Sequence, residues 1–129
     1  VETERGKPIH VEVTLETAPS VLWDAVVLPA GDAAQATLSQ LGQAQDFLKD
    51  QYRHGKPILA LRGGTMLLET AGVSPLLPGG GIDPGIIVAG AATGDGKAGR
   101  DGTAAAVADF VAALAKHRHF DRETDPPSV

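Results

Sequence analysis

The first part of the chain contains two segments whose hydrophobic patterns are typical of β-strands. Within Lys7–Leu15, apolar residues occupy every second position from Ile9 onward, and the residues between them are polar or charged. A period of two predicts a strand with one buried face, and Pro8 near its start favours the edge of a sheet. The mostly apolar run Trp23–Leu28 ends at Pro29 and predicts a second strand, buried on both faces.

A helical pattern follows these strands. From Ala33 to His54 the apolar residues recur every three or four positions, which predicts an amphipathic helix. Asp32 is its expected N-cap and Gly55 is expected just past its end. A break is expected near residues 39–42.

The second half of the chain continues the alternation of strands and helices. Short apolar runs at 58–61 and 86–89 predict two more buried strands. Residues 65–71 predict a short helix and residues 103–117 a longer one, each capped by the threonine at its start. The expected core stripe of the longer helix consists of Val107, Phe110, Val111 and Leu114.

These elements predict an α/β layer architecture with a mostly parallel sheet. Parallel sheets are covered by helices on both faces, but only two substantial helices accompany the four predicted strands. The chain is therefore expected to be one strand–helix–strand (βαβ) unit short. The acidic, proline-containing tail 121–129 is expected to be disordered or docked on a partner.

Composition narrows the classes of function. The chain has 129 residues, no cysteine and a formal net charge of −5, so we expect one domain without disulfides or thiolate chemistry. An acidic protein is poorly suited to neutralise phosphates, which disfavours nucleic acid as a partner. The apolar runs are too short for a membrane span, and we expect a soluble, cytoplasmic protein with no membrane partner.

The best candidate site is the junction between the strand at 58–61 and the helix that follows it. In several α/β enzymes such a glycine turn holds the catalytic nucleophile above a helix N-terminus. Here the turn consists of Arg62, Gly63 and Gly64. A guanidinium stays protonated and cannot attack a carbonyl, so a turn without chemistry is the favoured interpretation. Anion binding by Arg62 and the helix amides is the alternative.

Other candidate groups form no recognisable constellation. The four serines lie in loop or cap contexts outside any Gly-x-Ser-x-Gly frame. His117 and His119 are two residues apart and would point to different faces of a helix, which makes a poor metal pair. The glycine clusters 79–81 and 94–97 lack the spacing of phosphate-binding loops. We therefore expect no metal and no cofactor in this chain.

Four segments, 18–20, 24–34, 52–58 and 110–120, closely resemble the C-terminal domain of large-subunit haem catalases, and the similarity extends over nearly the whole chain. The resemblance implies a flavodoxin-like fold related to class I glutamine amidotransferases and the PfpI superfamily. It divides the chain into a partial domain, 1–120, and the tail 121–129. In catalases this domain lacks the superfamily's nucleophile, which agrees with a vestigial nucleophile position at Arg62, Gly63 and Gly64.

Two departures from the family shape the expected function. The family's first βαβ unit has no counterpart here, which agrees with the shortage of helices. The haem-binding core, with its catalytic His and Asn and its proximal Tyr, is also absent, and Tyr52 does not match that ligand's setting. The resemblance implies a parent that is a tetrameric haem catalase decomposing hydrogen peroxide.

By the same resemblance, this chain would be a non-catalytic piece of that enzyme, stabilising the tetramer and shaping access to the haem channel. Its partner would be the rest of the polypeptide, or a companion chain that supplies the first unit. A stand-alone chaperone-like binding module is the alternative. A hydrolase of the amidotransferase type is a weaker one.

Overall fold

The computed structural model describes residues 2–3, 5–62, 64–90 and 101–129, and in the last range nothing is said of the Asp101 side chain. The strands are β1 (Val26–Leu28), β2 (Ile58–Ala60) and β3 (Ile86–Val88). The helices are α1 (Asp32–Ser39), α2 (Gly42–Arg53), α3 (Thr65–Thr70) and α4 (Asp101–Ala115). Two 3₁₀ turns, Ser20–Leu22 and Phe120–Arg122, precede β1 and follow α4. We call them the Ser20 turn and the Phe120 turn.

The three strands form a parallel sheet in the order β1-β2-β3. Val26, Ile58 and Ile86 stand side by side in register. The central strand β2 is buried at all three positions. This small parallel sheet with flanking helices confirms the predicted α/β class and is consistent with a flavodoxin-like fold.

Helices cover both faces of the sheet. On one face Ile58 and Ala60 pack in a cluster with Leu48 of α2 and Leu68 of α3. On the other face Leu59 of β2 packs in a second cluster that includes Ala89, Ala106 and Phe110. Alternate residues of a strand point to opposite faces, so the short apolar run of β2 supplies both cores.

Two predicted helix boundaries are confirmed, and three predicted helix caps are wrong. The long helical pattern is broken between α1 and α2 as expected, and Gly55 follows α2 with a φ of 65°. Gly72, with a φ of 73°, follows α3. The three predicted caps are wrong: Asp32, Thr65 and Thr103 all lie inside their helices. Asp32, in the first turn of α1, still interacts favourably with the helix dipole.

The predicted edge strand at 7–15 is wrong. Its four alternating apolar side chains are exposed, and within the described residues the segment pairs only through an isolated bridge between Glu2 and Pro8. The period of two is present, but within the described part of the chain no strand of the sheet pairs with it. A strand needs such pairing to be stable.

Two burial predictions are also wrong. β1 is not buried on both faces, because Val27 is 50% exposed while Leu28 is buried. On α4, Val107 and Val111 are exposed, and the buried face consists of Ala106, Phe110 and Ala113, with Leu114 half-buried. The helix is rich in alanine and valine on every side, so hydropathy alone could not identify its buried face.

The end of the carboxyl-terminal tail packs on the chain itself, and the docking of the tail on a partner stays a prediction. Val129 lies against the first core cluster, and the Arg53 side chain donates a hydrogen bond to the Val129 carbonyl. The glycine cluster 94–97 lies outside the described residues.

Candidate functional site

The predicted elbow lies at the carboxyl edge of the sheet, where β2 leads into α3. The Leu61 N–H donates to the Leu28 carbonyl at 3.1 Å, and the Gly64 N–H closes the turn on the Leu61 carbonyl at 2.6 Å. A Cβ on Gly64 would lie 2.8 Å from that same oxygen, so only glycine fits. Open α/β sheets bind their ligands at this edge.

The residues at the elbow offer little chemistry. Arg62 is exposed, Thr65 is exposed within the first turn of α3, and Gly63 lies outside the described residues. A guanidinium can bind an anion but cannot act as a nucleophile. The anion-binding interpretation stays a prediction, and the six-residue helix α3 gives it only a weak dipole.

The other candidates from the sequence do not converge on the elbow. Ser20 is buried before β1, Ser39 ends α1, and Ser74 and Ser128 are exposed. His117 is exposed just after α4, whereas His119 is buried. Within the described ranges, no three His, Cys, Asp or Glu side chains are grouped so that they could hold a metal ion.

A buried polar cluster lies at the opposite, amino edge of the sheet. Its centre is the ion pair between Arg122 and Asp83, with Nε and Nη2 of the arginine 2.5 and 3.1 Å from the two carboxylate oxygens. Arg122 Nη1 donates to the Lys56 carbonyl at 2.8 Å, and the Gly85 N–H donates to Asp83 Oδ1 at 2.8 Å. The guanidinium also stacks 4.9 Å from the centre of the Tyr52 ring. We call this group the Arg122–Asp83 cluster.

His119 completes the cluster from the turn after α4. Its backbone N–H donates to the Gly55 carbonyl at 2.8 Å, and its Nε2 lies 3.3 Å from the Ala113 carbonyl. Burial lowers the pKa of the His119 imidazole; the hydrogen bond to Ala113 opposes this effect and the charge of Arg122 adds to it. Burial thus favours the neutral form of the ring. A Cβ on Gly85 would overlap both Arg122 Nη2 and the His119 ring.

The Arg122–Asp83 cluster is built for structure rather than for binding. Both side chains of the pair are buried, their polar atoms are bonded within the chain, and the cluster lies away from the edge where such sheets bind ligands. It fastens the carboxyl-terminal segment to the start of β2 and β3. Sequence reasoning missed it because 39 residues separate Asp83 from Arg122 and no local motif connects them.

A second polar group holds the Ser20 turn. Lys56 Nζ and Gln51 Nε2 each donate to the Ser20 carbonyl at 2.8 Å, and the Ser20 hydroxyl donates to Asp50 at 3.3 Å. Burial lowers the pKa of the Lys56 ammonium, and the nearby charge of Arg118 adds to the effect. Both bonding side chains are buried, so the turn is rigidly attached to the body of the domain.

No helix in the part of the chain that the structure describes is long and apolar enough to cross a membrane.

Comparison with known proteins gives a consistent family. A family model described as a C-terminal domain found in long catalases matches residues 4–124. Catalase HPII of Mycobacterium avium is 36% identical over 121 residues, covering 93% of this chain and 17% of that protein. Catalase HPII of Pseudomonas putida is 30% identical over 131 residues, covering 100% of this chain and 15% of that protein. Catalase C of Rhizobium meliloti (strain 1021) is 40% identical over 78 residues, covering 60% of this chain and 11% of that protein. The chain thus spans about a sixth of the length of the first of these relatives.

Proposed function

This chain belongs to the family of C-terminal domains found in long catalases, and we propose that it is a non-catalytic domain of such an enzyme. In this proposal the parent decomposes hydrogen peroxide in the cytoplasm, and the chemistry takes place elsewhere in the polypeptide. The domain packs on that remainder, stabilises the assembled tetramer and shapes the approach to the haem channel.

The observation that carries the proposal is the elbow between β2 and α3. Its geometry is tight, with no room for a side chain at Gly64, as in folds that expose a nucleophile at this turn. The exposed residue there is Arg62, and the chain has no cysteine. Arg62, Gly63 and Gly64 are, in our proposal, the remnant of a nucleophile position that no longer functions.

Two side chains of the kinds that can bind haem iron are held within the fold. Tyr52, the one tyrosine of the chain, is buried in the first core cluster with its ring against Arg122. His119 is buried and hydrogen-bonded to the Ala113 carbonyl. The haem and its ligands therefore belong, in this proposal, to the rest of the parent catalase.

The unpaired edge of β1 favours a polypeptide segment as the neighbour of the sheet. The Val26 N–H and the Leu28 carbonyl bond to the β2 side, which directs the N–H and carbonyl of Val27 to the other edge. Among the described strands none pairs with that edge, and the Val27 side chain is half-exposed. A free edge of this kind is normally paired or covered, and we propose that the rest of the catalase, or a companion chain, supplies the missing βαβ unit there.

Binding in trans tests the proposal. The body of a long catalase, truncated directly after the first βαβ unit of its own C-terminal domain, is mixed with this 129-residue chain and followed by sedimentation. We expect the chain to co-sediment with the tetrameric body and to raise its temperature of inactivation. Separate sedimentation of the two, with inactivation temperature unchanged, would contradict the proposal.

A chaperone-like binding module is the second candidate, favoured by the number of exposed large apolar side chains. Val21, Leu22, Ile82 and Phe120 are each at least 66% exposed. Suppression of client aggregation by the isolated chain at a stoichiometric ratio would support this function. An effect no larger than that of an inert protein would count against it.

A hydrolase is the weaker alternative. It would need a reactive serine, although none of the four lies in the elbow sequence. Labelling of the isolated chain by a serine-directed acylating probe would revive this candidate, and we expect no label.

A further inference from the structure

The Ser20 turn presents three consecutive large apolar side chains to solvent. Val21 is 70% exposed, Leu22 is 66% exposed, and Trp23 directly after them is 40% exposed. Single exposed apolar residues are ordinary, but contiguous exposed ones mark interaction surfaces.

Buried side chains hold the Ser20 turn in place. The Ser20 carbonyl accepts hydrogen bonds from Lys56 Nζ and Gln51 Nε2, both at 2.8 Å, and both donor side chains are buried. Removing an ammonium group from water is costly. The buried Lys56 ammonium holds this surface turn in one conformation through its hydrogen bond to the Ser20 carbonyl. A surface that is rigid before binding loses less conformational entropy on association.

A cavity of about 340 Å³ lies beside the turn. Its walls include two apolar side chains, three cations and one carboxylate: Val21, Phe120, Arg53, Lys56, Arg118 and Glu123. Phe120 is 66% exposed, so the cavity continues the apolar surface of the turn. Cations outnumber carboxylates in this wall although the whole chain carries a net charge of −5.

The electrostatics of Lys56 agree with a local excess of positive charge. The charge of Arg118 lowers the pKa of the Lys56 ammonium, and Asp24 and Asp50 act in the opposite direction with smaller effects. A carboxylate that entered the cavity would interact favourably with both Lys56 and Arg118. An apolar side chain next to that carboxylate would cover Val21 and Phe120.

We infer that the Ser20 turn and the adjoining cavity form a docking site for a segment of the rest of the long-catalase polypeptide, one that carries an apolar side chain beside a carboxylate. The inference rests on the proposed function and identifies the surface through which it acts. Because this chain covers only 17% of the Mycobacterium avium relative, most of a long catalase lies outside it and is available as the occupant.

The test measures binding of the chain to the truncated catalase body, by titration, for the wild type and four variants. Val21→Asp and Phe120→Asp each place a charge on an exposed apolar wall, and we expect each to raise Kd at least tenfold. Arg118→Gln is expected to raise Kd several-fold and to reduce its dependence on salt. Met66→Asp is the control, since Met66 is exposed on α3 at the opposite edge of the sheet, and its Kd is expected to stay within twofold of the wild type.

The outcomes separate this inference from the proposed function. Circular dichroism first establishes that each variant is folded. If the wild type binds and Val21→Asp and Phe120→Asp bind within twofold of it, the docking surface is elsewhere and only this inference is overturned. If the isolated chain dimerises and Val21→Asp abolishes the dimer without weakening binding to the body, the occupant is a second copy, which also overturns it. If the wild type does not bind the body at all, the proposed function fails and the docking site fails with it.

Discussion

The Arg122–Asp83 pair is expected to be the most sensitive polar contact of the domain. Asp83 has no exposed surface, and it accepts two hydrogen bonds from Arg122 and one from the Gly85 N–H. Asp83→Asn keeps the shape of the side chain but removes the negative charge, which leaves the guanidinium buried without a counter-ion. Breaking a buried pair in this way costs about 3–5 kcal/mol, a large part of the roughly 5–15 kcal/mol that stabilises a typical protein.

Urea unfolding, followed by circular dichroism, measures this cost. With a slope of about 1–3 kcal/mol per molar urea, the midpoint of Asp83→Asn is expected to fall by at least about 1 M. Adding Arg122→Met removes the unpaired charge, so the double variant is expected to be more stable than Asp83→Asn alone.

A surface pair serves as the control. Arg118 and Asp24 lie 3.7 Å apart, but the Asp24 side chain is 76% exposed, so Asp24→Asn is expected to cost less than about 1 kcal/mol. If Asp83→Asn lowers the free energy of unfolding no more than Asp24→Asn does, the Arg122–Asp83 pair does not stabilise the fold in the way inferred from its burial.

Two further substitutions test other parts of the fold. Gly64→Ala places a Cβ 2.8 Å from the Leu61 carbonyl and is expected to destabilise the chain by roughly 1–3 kcal/mol in the same urea assay; an unchanged midpoint would contradict the tight elbow. Because burial lowers the pKa of His119, the unfolded chain binds a proton more readily than the folded one, so the free energy of unfolding is expected to decrease as the pH falls below about 6.5. Equilibrium unfolding between pH 5 and 8, roughly the range in which histidine titrates, measures how steeply the free energy of unfolding depends on pH. His119→Gln should make this dependence weaker. An equal pH dependence in the two proteins would show that other groups cause it.

Sequence patterns correctly predicted the elements that are determined by residues close together along the chain. The spacing of apolar residues in α2 and the compact run of β2 reflect local periodicity, and Gly55 reflects a backbone conformation that glycine adopts easily. The α/β class and the strand–helix junction at β2 and α3 were predicted from the same local patterns, which are continuous in sequence, and the family resemblance added the flavodoxin-like fold.

The failures share a different physical cause. The segment 7–15 has the period of a strand, but a strand forms only where a partner is present. The buried face of α4 is the side that packs against the sheet. It is determined by contacts with Leu59 and Ala89, which lie outside the helix. The Arg122–Asp83 cluster joins distant parts of the chain, and pairs of this kind leave no periodic signal in a single sequence.

We propose that this domain stabilises a catalase without taking part in its chemistry. The most direct measurement compares peroxide turnover per haem in a long catalase with and without this domain, before and during heating. We expect equal turnover at the start and faster loss of activity on heating when the domain is missing. Lower initial turnover, with haem content and the tetramer unchanged, would contradict the proposal.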